Sequence, residues 1–155
     1  MIRKSLLSVV LVLLIMLLAS SLSLAGSGLK IETEGLSKYT VVGLDLEIGL
    51  PGLPVRVFAD LVGWWQLEEE QTTNAQAGAG ARVFFTQASS GPFIEGKFRY
   101  VFQLDEGFPA STNAIIVGAG YRLRVLFGNA DISIQTCLTE HELIPKYFIG
   151  ARIGF

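Results

Sequence analysis

The chain has 155 residues, half of them hydrophobic, with 17 glycines and only 17% charged side chains, which excludes disorder and gives the size of one domain. The formal charge is -2, and setting aside Arg3 and Lys4 leaves 10 basic against 14 acidic residues, a balance that argues against nucleic acid as a partner. Cys137 is the only cysteine, so neither an intramolecular disulfide framework nor a multi-cysteine metal site can form.

Residues 1–25 carry the three parts of a secretory signal peptide: the basic pair Arg3 and Lys4, an apolar run from Leu6 to Leu18, and the small-residue site Ser23-Leu24-Ala25 before Gly26. The run is shorter than the ~20 residues a helix needs to cross hydrocarbon, so cleavage after Ala25 is expected rather than anchoring. No cysteine follows the leader, which argues against a lipidated N-terminus.

From residue 26 onward no window keeps a helical period, whereas strict alternation recurs, and the expected fold is all β over residues 26–155. Leu29, Ile31 and Thr33 form the oily side of a short first strand, Leu29 to Glu34. Val42 to Leu50 places Asp45 and Glu47 opposite an oily face. Val55 to Trp65 does the same with Arg56 and Asp60, and Ala77 to Thr86 with Arg82. Ile94 to Leu104 sets Glu95, Lys97 and Arg99 on one parity, and Ile115 to Phe127 sets Arg122 and Arg124 there. Asp131 and Arg152 take the same place in the last two segments, Ala130 to Leu138 and Tyr147 to Phe155. No oily-face position in these segments is charged.

Alternation fits both a soluble sandwich and a membrane barrel, and three further features favour the barrel. Segments of about 9 to 11 residues match a tilted crossing of a bilayer. The short uncharged turns Pro51 to Pro54, Gln87 to Pro92 and Gly128 to Asn129 alternate with longer acidic loops that contain Glu68, Glu69, Glu70, Asp105, Glu106, Glu140 and Glu142. Oily-face aromatics gather at segment ends, with Phe85, Phe127 and Phe155 toward the turns and Trp65, Phe102 and Tyr147 toward the loops, as an interfacial girdle requires. The expected architecture is therefore a closed, up-and-down antiparallel transmembrane barrel of about eight strands.

Hairpin pairing across the short turns is expected to set Glu47 opposite Arg56, Arg82 opposite Glu95, and Arg124 opposite Asp131, all facing inward. Asp45, Asp60, Lys97, Arg99, Arg122 and Arg152 extend these pairs into a charge network. Eight strands enclose a space that side chains fill, so the network is expected to plug the lumen. His141, between Glu140 and Glu142, has no second ligand or orienting partner in the pattern, and Ser133 has no histidine near it, so neither makes a catalytic or metal site. Neither a catalytic residue nor a cofactor is expected.

The terminal run Tyr147-x-Ile149-x-Ala151-x-Ile153-x-Phe155 resembles the C-terminal signal by which outer-membrane barrels are recognised by their assembly machinery. With leader and alternation, the whole of 26–155 resembles the small eight-stranded outer-membrane barrel class, which includes OmpX-like proteins and the OmpA transmembrane domain. That resemblance implies a monomer in the outer membrane of a Gram-negative bacterium, with lipid and the assembly machinery as partners and a structural or surface-interaction role. A narrow channel or small-solute transport barrel is the alternative. An outer-membrane lipid-modifying enzyme is a third reading, and it meets the lack of any paired serine and histidine.

Overall fold

The computed structural model describes residues 26–35, 39–64, 74–86, 90–103, 112–140 and 144–155. The expected leader, Trp65, Glu68 to Glu70, Asp105, Glu106, His141 and Glu142 lie outside them. Eight strands follow one another as β1 (Gly26–Gly35), β2 (Tyr39–Gly49), β3 (Val55–Trp64), β4 (Asn74–Phe84), β5 (Gly91–Gln103), β6 (Thr112–Val125), β7 (Gly128–Cys137) and β8 (Tyr147–Gly154). Each pairs antiparallel with its chain neighbours, and β1 pairs with β8, so the sheet closes into a barrel. The Phe155 amide donates to the Ser27 carbonyl at 2.9 Å, extending the closing seam beyond the last strand. Closure removes the unpaired edge strands that an open sheet would expose.

Every hairpin is local, so one end of the barrel carries residues 50–54, 85–86, 90 and 126–127 together with Gly26 and Phe155. We call this the turn end. The other end, the loop end, carries Gly35, Tyr39, Trp64, Asn74, Gln103 and Thr112 at the strand ends, with 138–140 and 144–146. Because successive side chains in a strand point to opposite faces, the alternation in sequence becomes an inside and an outside. In β8 the pattern is unbroken: Phe148, Gly150, Arg152 and Gly154 are buried and Tyr147, Ile149, Ala151 and Ile153 exposed. The first strand is longer than the sequence suggests and runs from Gly26, because β2 supplies partners for its first residues, Glu47 opposite Gly26 and Leu46 opposite Ser27.

Two hairpins differ in register from the expected charge pairing. Between β6 and β7 the tip is Leu126–Phe127, with Val125 opposite Gly128, so Asp131 faces Arg122 and Arg124 faces Asn129. Gly128 makes this possible with φ at 152°, a backbone setting few other residues adopt. Between β2 and β3, Arg56 lies opposite Gly49 and Glu47 opposite Phe58, because the loop closes through Leu50 N to Val55 O at 3.0 Å. Both slips are by two residues, which returns every side chain to its own face. The inside and outside therefore survive an error that changes the charge partners.

The sheet approaches itself closely at Gly43, where an added Cβ would overlap the Leu61 carbonyl oxygen and lie 2.5 Å from Val62 Cα. At Gly96, on the outer face, an added Cβ meets nothing within 4 Å. Gly43→Val should lower stability by at least the roughly 1–3 kcal/mol typical of overpacking, while Gly96→Ala should change it by no more than about 0.5 kcal/mol. Urea midpoints of the two variants, measured side by side, check this.

Candidate functional site: a charged lumen

The interior of this barrel is the reverse of a soluble core. Among the described residues, six cationic side chains (Lys30, Arg82, Lys97, Arg99, Arg122 and Arg152) and six carboxylates (Glu32, Asp45, Glu47, Asp60, Glu95 and Asp131) are buried. Their formal charges cancel. Burying an ion away from water costs several kcal/mol unless a counter-ion and hydrogen bonds replace its hydration, so the balance is a condition for folding.

These groups form two clusters. Near the turn end, Glu47 on β2 is the hub: its Oε1 accepts from Arg122 Nη1 at 2.6 Å and Arg56 Nη1 at 3.0 Å, and its Oε2 accepts from Arg122 Nη2 at 2.8 Å and from Arg82 Nη1. Arg122 also holds Asp131 through Nε and Nη2, both at 2.6 Å. Arg82 Nε donates to Glu95 at 2.9 Å across the β4–β5 hairpin, where the two residues are direct partners. Arg152 Nε reaches Asp45 at 2.6 Å over β1, and Gly28 permits it, since a Cβ there would sit 2.6 Å from Asp45 Oδ1 and 2.7 Å from Arg152 Nε. The fork of guanidinium donors lets one arginine satisfy two carboxylates at once, which a lysine could not do with fixed geometry.

Nearer the loop end, Glu32 on β1 accepts from Arg99 Nη1 at 2.5 Å and from Lys97 Nζ, and Lys30 Nζ lies 3.0 Å from it. Asp60 Oδ2 accepts from Lys30 at 2.7 Å and Arg99 Nη2 at 2.9 Å, and Arg99 also donates to Gln76 at 3.2 Å. Beyond this cluster toward the loops, the lumen turns apolar, lined by Val41, Val62, Val101, Ala114, Ile116, Cys137 and Phe148, with Ile144 folded in from the β7–β8 connection.

The pairs that matter most for access are those that cross the lumen. In a ring of eight, β1 stands opposite β5 and β2 opposite β6. Glu32 to Lys97 and Arg99 is a β1–β5 contact, and Glu47 to Arg122 is a β2–β6 contact, so each cluster spans the full width of the barrel. Inward aromatics fill the spaces between them. Phe58 lies under Arg82 with 4.3 Å from guanidinium to ring centre, and Phe84 under Arg122 at 4.8 Å. A cavity of about 10 Å³, bounded by Lys30, Arg82, Asp131, Ser133, Gln135 and Arg152 among others, has the size and polar lining for a single water molecule.

Of the residues singled out from the sequence, Asp45, Glu47, Asp60, Arg82, Glu95, Lys97, Arg99, Arg122, Asp131 and Arg152 are drawn together here, and Arg56 joins them from the turn end with its side chain 28% exposed. Arg124 does not belong. It is exposed at the turn end and has no ion pair among the described residues, because Arg122 takes Asp131 after the register shift. Lys30 and Glu32 were missed. The signal for them is their parity in β1, opposite to Leu29 and Ile31. Ser133 accepts a hydrogen bond from Gln135 at 2.8 Å.

The outer face is apolar. Twenty-six large hydrophobic side chains among the described residues are exposed, Ile134 at 70% for example. The aromatic set follows the same face: Phe85, Phe127 and Phe155 are exposed at the turn end, and Phe102 and Tyr147 at the loop end. No helix among the described residues is long and apolar enough to cross a membrane. The chain matches no protein-family model and no curated protein.

Removing the charge of the hub should expose the cost of this arrangement. Glu47→Gln leaves Arg82 and Arg122 without their shared counter-ion and should destabilise the barrel by about 3–5 kcal/mol, while Arg56→Gln, at the wet edge, should cost about 1 kcal/mol or less. Equilibrium urea unfolding of both variants measures the difference.

Proposed function

We propose that this protein is a bacterial outer-membrane barrel, exported by the leader at residues 1–25, with a structural or surface-interaction role and no enzymatic activity. One observation carries the reading: the charges are inside and neutralised, while a continuous apolar face looks outward. A monomeric soluble protein rarely leaves a contiguous apolar patch beyond a few hundred Å² in water, and here every strand contributes to one. In lipid the same face is at rest, and a closed barrel is one of only two ways to satisfy all backbone groups there. The exposed aromatics at both ends suit the two interfaces of a bilayer.

The cross-barrel ion pairs support a plugged lumen. A channel would need an open path between the clusters, whereas Glu32 and Glu47 each hold cations from the opposite wall. The unbroken alternation of β8 up to Phe155 supports recognition by the outer-membrane assembly machinery, and closure of the sheet by the chain's own strands supports a monomer.

The protein extracted from membranes should migrate faster in detergent gels unboiled than boiled, and should add no stepwise conductance to a planar bilayer. Identical migration together with solubility in the absence of detergent would refute the membrane reading, and stable single-channel steps would refute the plug. Deleting Phe155 should lower the amount of folded barrel in the outer membrane several-fold with the exported precursor still processed, read by cell fractionation and the same gel shift.

A further inference from the structure

Resting on the membrane reading, we propose that the turn end of the barrel is a docking surface for anionic phospholipid, with Arg124 contacting the headgroup phosphate and Leu126 and Phe127 set among the carbons just beneath it. The starting point is a cation with no local purpose. Arg124 is exposed and unpaired among the described residues, and the acid expected opposite it, Asp131, is buried and held at two points by Arg122.

The tip beside it is unusual for water. Leu126 and Phe127 occupy the two central places of a two-residue hairpin, where Asn, Asp and Gly are strongly preferred for backbone reasons. They are 96% and 88% exposed, so they gain nothing from the protein's own interior. Leu53, Phe85 and Phe155 are exposed at the same end. An apolar surface outside the protein gives these side chains a place that water does not.

Charge selects which surface. The segments 50–56, 85–93 and 124–130 contain Arg56 and Arg124 and no Asp or Glu, whereas the exposed Glu34 and Glu140 stand at the opposite end. Among the described residues this rim is apolar and exposes no carboxylate side chain, and with Arg56 bound to Glu47 its unpaired cation is Arg124, a combination that complements a lipid with an anionic headgroup above its chains. A zwitterionic lipid offers the same carbons but carries its own cation, which competes with the arginine.

The experiment titrates the full chain, folded in detergent micelles, with phosphatidylglycerol or phosphatidylcholine and counts bound lipid by native mass spectrometry. Phosphatidylglycerol should bind several-fold more tightly, and Arg124→Gln should reduce that preference about fivefold, the factor that corresponds to ~1 kcal/mol for one arginine at an anionic surface. Lys146→Gln, at the loop end, should leave it unchanged, and added salt should shrink it in the unaltered protein. Equal affinities, a preference untouched by Arg124→Gln, or a loss caused equally by Lys146→Gln would overturn the proposal. So would a Leu126→Ser/Phe127→Ser double variant that abolishes self-association and leaves lipid binding intact, since the occupant would then be a second copy. The gel shift of the same samples separates the two ideas: its absence sinks the membrane barrel, while a normal shift without lipid preference sinks only the docking surface.

Discussion

The arrangement depends on charge neutralisation across a space too narrow for water to do the same work. Eight strands leave a lumen that side chains fill, so any ion placed there must find its counter-ion on another strand. Glu47 and Glu32 solve this by taking donors from the wall opposite. Such contacts are unlike the hairpin pairs beside them, because they tie together strands far apart in sequence and hold the ring in a particular cross-section. The electrostatics thus specify the closed barrel, whereas an apolar interior of the same volume would tolerate many registers.

A reversed interior has a consequence for the outside. With the polar groups spent on one another, the outer face is left with Val, Leu, Ile, Phe and small residues, and its free energy depends wholly on the solvent it meets. Burial of such side chains is worth about 25 cal/mol per Å² when water is replaced by hydrocarbon. The glycines serve the same geometry from within: Gly43 lets β2 and β3 approach, and Gly28 lets Arg152 pass over β1 to Asp45. Toward the loops the lumen ends in an apolar layer, so Ile144 and Phe148 shield the upper cluster from bulk water.

Much of this was legible in the residues themselves. Period-two alternation is a property of neighbours along the chain, so the faces of β2 to β8 and the gathering of Asp45, Glu47, Arg82, Arg99 and Arg152 on one of them needed no coordinates. Arg82 and Glu95 could be paired too, since opposite charges on the inward parity flank one short turn. The places of Arg124 and Arg122 could not. The tip at Leu126–Phe127 carries none of the usual turn residues, whereas Gly128 and Asn129, which have turn composition, stand two positions on in β7. Lys30 and Glu32 were hidden for another reason: the worth of β1 lies in its pairing with β8, a contact between the two ends of the chain.

What the sequence alone determined is the sorting of side chains into two faces, because parity along an extended strand is local and a slip of two residues preserves it. Only the tertiary structure decided which charge meets which. Glu32 reaches Arg99 and Glu47 reaches Arg122 through the curvature and closure of the sheet, and distance across a ring is not encoded in the spacing of residues along any one strand.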